Sequence, residues 1–189
     1  MDATALLRPH LLDGRAIALG GGGESPLGAA LAALGATVSQ LPAMLDEEAM
    51  AAAVDPLTDV LVHDMRPAFG IGGGGDESLR GTLDLAWITV RAVANAAFIL
   101  NARGGKVTLI APRPGDGDVA AAGVRAAAEN LARTLSIEWA RHGITTVAIA
   151  PGEATPDEEI EALVAFLASS AGDYWSGCRL SLGELALKA

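Results

Sequence analysis

Apolar runs and helically spaced stretches alternate along this chain. Residues 15–19 (RAIAL), 37–41 (TVSQL), 59–63 (DVLVH), 106–111 (KVTLIA) and 144–150 (ITTVAIA) are short and mostly aliphatic or β-branched. They predict buried strands, with a last one near 179–182. Between them, apolar residues recur at helical spacing. LGAALAAL, ending at Gly35, predicts a short helix with Ser25 as its N-cap and Pro26 in its first turn. Residues 46–54 (DEEAMAAAV) predict a second helix, whose early carboxylates suit the helix dipole. Residues 66–75 read as a loose loop carrying a four-glycine run, and residues 156–169 as a late helix.

The two longest helical patterns carry more apolar positions than one face needs. Over 76–103, Leu79, Leu83, Ala86, Val90, Val93, Ala97 and Leu100 make one stripe, and Trp87, Arg91, Ala94 and Phe98 make a second on another side. Over 118–142, Val124, Leu131, Leu135 and Trp139 recur with mostly Ala and Gly between them. Side chains that small imply close approach on more than one face. His142-Gly143 ends this helix with a residue suited to a left-handed cap. Strands spaced by helices predict an α/β fold, a doubly wound parallel sheet covered on both faces, in one domain over 1–189.

Composition narrows the function. The chain has 189 residues, half of them hydrophobic, and a net charge of −10. That charge argues against nucleic acid or an anionic membrane as a partner. One cysteine, Cys178, excludes an internal disulfide or a multi-cysteine metal site, and it reads as a small buried hydrophobe. No apolar run approaches a membrane span and the start lacks a signal-peptide layout, so a cytoplasmic location is expected.

Four landmarks in order resemble the short-chain dehydrogenase/reductase family: the strand–glycine–helix opening, DVLVH, GGKVTLI from Gly104, and ARTLSIEWARHGITTVAIAPG followed by EEIEALVAFLASSAGDYWSGCRL. The resemblance spans nearly the whole chain. It implies a Rossmann-like three-layer sandwich and an NAD or NADP site. The glycine-rich turn Gly20, Gly21, Gly22, Gly23 with Ser25 would face the pyrophosphate. His63, Arg125 and the Pro151-Gly152 turn would lie along the remaining cofactor path.

The departures from that family fall on its chemistry. Its glycine spacing fails here, since the later positions land on Ser25 and Leu27, and Glu24 puts a carboxylate beside the expected phosphate. The family's asparagine-rich segment is replaced by His63-Asp64-Met65-Arg66. His63 and Asp64 could serve acid–base work, but neighbours in a strand point to opposite faces, so a structural role stands beside that reading. The serine position falls on Pro112, the tyrosine on Ala121 and the lysine on Arg125. Ala121 cannot move a proton. Arg125 keeps a charge that could hold a ribose or a carboxylate, but is no direct replacement for lysine. Tyr174, the single tyrosine, lies elsewhere and reads as packing. The family's longer substrate lid is missing before the last helix. Strand two ends in Ser39-Gln40-Leu41, with neither the acid expected for a ribose hydroxyl nor a base for a 2′-phosphate.

No catalytic set is therefore expected, and no cofactor, or NAD or NADP if one binds. In the family, the two long helices pair across a dyad. Here Trp87, Arg91, Ala94, Phe98, Leu131, Leu135 and Trp139 are the candidate interface. Three functions stay open. One is a non-catalytic homo-oligomer or a partner subunit of a catalytic relative. Another is an NAD(P)-dependent oxidoreductase with a site rebuilt from His63, Asp64, Arg125 and Asp116 or Asp118. The third is a nucleotide or small-ligand binding module.

Overall fold

The computed structural model describes residues 7–23, 25–71, 73, 75–115 and 118–183. Among these residues, six parallel strands form one sheet in the order β2-β1-β3-β4-β5-β6. They are β1 Ala16–Gly20, β2 Thr37–Gln40, β3 Val60–Asp64, β4 Gly105–Ile110, β5 Ile144–Pro151 and β6 Cys178–Leu182. The chain turns back at β1, so β3 pairs on its other side, with Leu19 opposite Val62 and Gly20 opposite His63. This reversal opens a switch point between the carboxyl ends of β1 and β3.

Strand alternation builds two cores. Ala18, Leu61, Val107, Leu109 and Ala148 face α2 (Glu47–Ala52), α4 (Gly75–Val93) and α5 (Val119–Glu138), meeting Met50, Val90, Val124 and Leu135. Ile17, Leu19, Val60, Val62, Val147 and Ile149 face α1 (Leu27–Ala33) and α6 (Asp157–Ala168), meeting Leu27, Leu31, Ile160 and Val164. The result is the three-layer sandwich expected. Asp46 caps α2 by accepting from the amides of Glu48 and Ala49. Lys106 reaches past the end of α6 to the Leu167 and Ser169 carbonyls and pairs with Asp173. Gly143, at φ 69°, supplies the expected left-handed cap.

Four local expectations are corrected. Residues 66–71 are not loop: α3 (Arg66–Ile71) starts directly after β3, and Phe69 packs on the α4 side of the core. Pro26 rather than Ser25 takes the cap position of α1, although the Ser25 hydroxyl still accepts from the Leu27 amide. Tyr174 does not pack; it is 94% exposed.

The fourth concerns α4. Its continuation widens into a π turn over Ala94–Ile99, where the Leu100 amide reaches Asn95 O at 3.2 Å. The extra residue in that turn rotates everything after it. Phe98 swings into the core, and Leu100, expected inward, is 79% exposed. Ala94, Phe98 and Leu135, expected at an intermolecular interface, are buried within this chain. Trp87 and Arg91 do face outward, while Leu131 and Trp139 are partly covered by the core. Gly123 lets α4 and α5 touch, since a side chain there would come within 2.5 Å of Leu79. By length and composition alone Gly75–Ile99 could cross a membrane, but over half of its most apolar window is buried in the sandwich.

Candidate functional site

The carboxyl ends of the strands collect the residues the sequence singles out. The glycine turn leaves β1 with Gly21, Gly22 and Gly23 at φ 108°, 76° and 80°, a run that side-chain-bearing residues rarely adopt. Gly21 lies so close to β3 that a Cβ would stand 1.7 Å from the Asp64 carbonyl oxygen. The ends of β1 and β3 are thus drawn together at the switch point. On the α1 side, the crevice among Leu19, Gly22, Ser25, Gln40, Val62 and Asp64 holds about 10 Å³. That is room for no more than about one water. The Gln40 side chain closes its far wall by donating to the Leu19 carbonyl at 3.1 Å. Glu24 lies outside the described residues, as does Asp116. This crevice has no room for a pyrophosphate group.

His63, expected on a cofactor path, is instead fully buried on the α4 side. Its Nδ1 stands 2.8 Å from where a Cβ on Gly20 would be, and Thr89 closes on the same point. Neither ring nitrogen has a hydrogen-bond partner among the described residues. Burial pushes its pKa down to about 4, against the opposing pull of the Asp64 charge. The imidazole is neutral at physiological pH, and the Asp64 carboxylate points to the opposite face of the sheet, so the two do not work as a pair.

Asp64 turns to the other face and joins an ion network. Arg66 donates to both its carboxylate oxygens, at 2.9 Å from Nε and 2.7 Å from Nη2, and to Asp157 Oδ1 at 2.6 Å. Arg113 donates to the same Asp157 oxygen and to the Thr155 carbonyl, both at 2.8 Å. The bond from Arg113, and after it the one from Arg66, hold Asp157 below the usual carboxylate range. This network ties the ends of β3 and β4 to the start of α6. The sequence shows Arg113 and Asp157 only as charges at a strand end and in a first helical turn. Nothing in their spacing says that they meet.

Arg125 does not reach outward to a ribose. It is buried, and its Nη1 donates to the Pro112 carbonyl at 2.8 Å and the Pro151 carbonyl at 2.6 Å. Arg125 and the Pro112 carbonyl are therefore joined in a brace between the ends of β4 and β5. Ala121 is buried one turn earlier on α5. The Pro151-Gly152 turn is seated on the edge strand. The Gly152 amide donates to Leu182 O at 2.7 Å, and a Cβ at 152 would come within 2.8 Å of that oxygen. Thr155 adds a second tie, its hydroxyl donating to Leu182 O at 3.1 Å.

On the α4 side of the glycine turn the space is different. A cavity of about 420 Å³ opens there, mostly apolar in lining, between Gly21–Gly23, the segment after β2, α3 and the start of α4. Among the described residues, no cluster of three or more His, Cys, Asp or Glu side chains could hold a metal ion.

A six-stranded parallel sheet with helices on both faces and a glycine turn at its switch point defines a doubly wound α/β protein. Solved structures make the class narrower. A citronellol catabolism dehydrogenase (AtuB) from Pseudomonas aeruginosa PAO1 matches with a TM-score of 0.72 at 22% identity, over 94% of this chain and 96% of that one. A hydroxysteroid dehydrogenase from Escherichia coli matches at 0.66 and 20% identity, over 92% and 97%. A short chain dehydrogenase from Mycobacterium smegmatis matches at 0.68 and 20%, over 93% and 94%. No family model matches the sequence, and no curated protein matches it. The fold is that of the short-chain dehydrogenases/reductases.

Proposed function

We propose that this chain is a non-catalytic protein of the short-chain dehydrogenase/reductase fold, working as a homo-oligomer or as the partner subunit of a catalytic relative. Arg125 carries this reading. At the position that matches the family's lysine, its guanidinium is bound to two backbone carbonyls, while Ala121 at the tyrosine position offers no proton. A lysine's catalytic task needs a charge that can reach a cofactor and a tyrosine, and this charge is committed to the scaffold. The 10 Å³ crevice at the switch point supports the same conclusion.

Assembly is supported by the outer side of α4 and α5. Trp87 is 42% exposed with Arg91 stacked 5.3 Å from its ring, and Ile137 is exposed on α5. A solvent-facing tryptophan on a helix that already has a buried face is the kind of group that anchors interfaces.

Calorimetry with NAD and NADP, together with a hydride-transfer assay on a panel of carbonyls and alcohols, tests the non-catalytic half. No heat and no turnover are expected, and turnover with any substrate would overturn it. Sedimentation of the wild type and of Trp87→Glu tests the assembly half. The wild type is expected to sediment as an oligomer, or to co-purify from its native cell with a catalytic protein of this fold. Trp87→Glu should release the monomer. A monomeric wild type that brings down no such relative would remove the assembly half.

A further inference from the structure

The 420 Å³ cavity on the α4 side of the glycine turn is not explained by packing or by assembly through α4 and α5. Its size falls in the ordinary range for small-molecule sites. Its walls are Ala43, Met44 and Leu45 after β2, Ala68 and Ile71 on α3, and Leu85 on α4. Leu45 and Ile71 stand at 61% and 84% exposure on these walls, an arrangement that costs hydration unless something covers them.

The electrostatics select the occupant. Among the described lining residues the one charge is Glu77, in the first turn of α4. A second depression shares Glu77 and Gly81 and adds Asp76, Asp84 and Arg80, so carboxylates outnumber guanidinium groups three to one. The cation of α3, Arg66, is held by Asp64 and Asp157 and does not offset them. A phosphate or carboxylate would therefore meet negative potential here, and the crevice beside Gly22 and Gly23, at about 10 Å³, is too small for the other half of a dinucleotide.

We propose that this cavity binds a small organic amine: an apolar body seated against Met44, Leu45, Ile71 and Leu85, with its ammonium group directed to Glu77. The site stands whether or not the chain assembles through its long helices.

Gly81 makes the test clean. It lines the cavity, yet a Cβ there meets nothing within 4 Å, so Gly81→Leu fills the space from a helical position without a clash at the Cβ. Binding is measured by calorimetry with three probes of one body: 4-phenylbutylamine, 4-phenylbutanol and 4-phenylbutanoate. Saturable binding of the amine is expected, with the carboxylate weakest. Gly81→Leu should abolish it, and Glu77→Gln should weaken the amine by about fivefold while leaving the alcohol unchanged. Absence of amine binding to the wild type, equal binding by Gly81→Leu, or a carboxylate that binds as tightly would each overturn the proposal. So would self-association of the wild type, without probe, that Gly81→Leu abolishes, since a second copy would then own the cavity. Dinucleotide turnover would instead overturn the non-catalytic reading and leave this one to the amine titration.

Discussion

The Arg125 guanidinium donates to the Pro151 carbonyl at 2.6 Å, joining the middle of α5 to the end of β5. The same nitrogen holds Pro112 O at the end of β4, so one side chain brackets the two strand ends that would frame a nicotinamide in the family. Arg125→Lys presents a compact ammonium on a shorter side chain in place of the guanidinium. The variant should lose about 1–3 kcal/mol, and Arg125→Met, which strands both buried carbonyls, roughly twice that. Urea unfolding measures both. Neither variant should gain hydride transfer, because Ala121 still supplies no hydroxyl.

His63 predicts a pH dependence with a definite sign. Its folded pKa of about 4 lies below the ordinary 6.5, so the unfolded chain takes up a proton that the folded chain refuses. The stability is complete above about pH 6.5 and falls as the pH drops toward 4, by about 3 kcal/mol over that window. His63→Leu should flatten this part of the profile in denaturation from pH 4 to 7. Asp157 acts in a separate window. Its carboxyl is held low, so its contribution persists through this range and is lost only at more acid pH. A His63→Leu profile as steep as wild type would show that the imidazole is not the group responsible.

Two glycines on opposite sides of the cavity should respond in opposite directions. Gly21→Ala must place a methyl group at positive φ and against the Asp64 carbonyl, which should cost about 3 kcal/mol or more. Gly81→Ala lies in open space within α4 and should gain about 0.5–1 kcal/mol from helix propensity. Thermal denaturation of the two variants side by side checks the pair.

Phe98 and Gly105 form another dependent pair. The ring covers the start of β4 so closely that a Cβ on residue 105 would lie 2.4 Å from it. Gly105→Ala should destabilise by about 1–3 kcal/mol through overpacking, and Phe98→Ala by about 3–5 kcal/mol through the cavity it leaves. Because relief of one clash offsets part of the other loss, the double variant should cost less than the sum. Strict additivity in a double-mutant cycle would count against the contact.

What the sequence determined by itself is the architecture. Strand and helix periods are local, and each of the six strands and the long helices could be read from them, down to the cap at Gly143. The order of landmarks also aligned Pro112, Ala121 and Arg125 with the positions the family uses for its chemistry, a reading made from residue identity alone. Tertiary structure decided where side chains point and what they touch. The π turn could not be seen in a 3.6-residue count, and it moved Phe98 inward and Leu100 outward. The direction of His63, the union of Arg66, Arg113 and Asp157, and the grip of Arg125 on two carbonyls depend on contacts between segments far apart in the chain. Local preference carries no record of those distances, because packing and charge pairing choose among them only once the layers have closed.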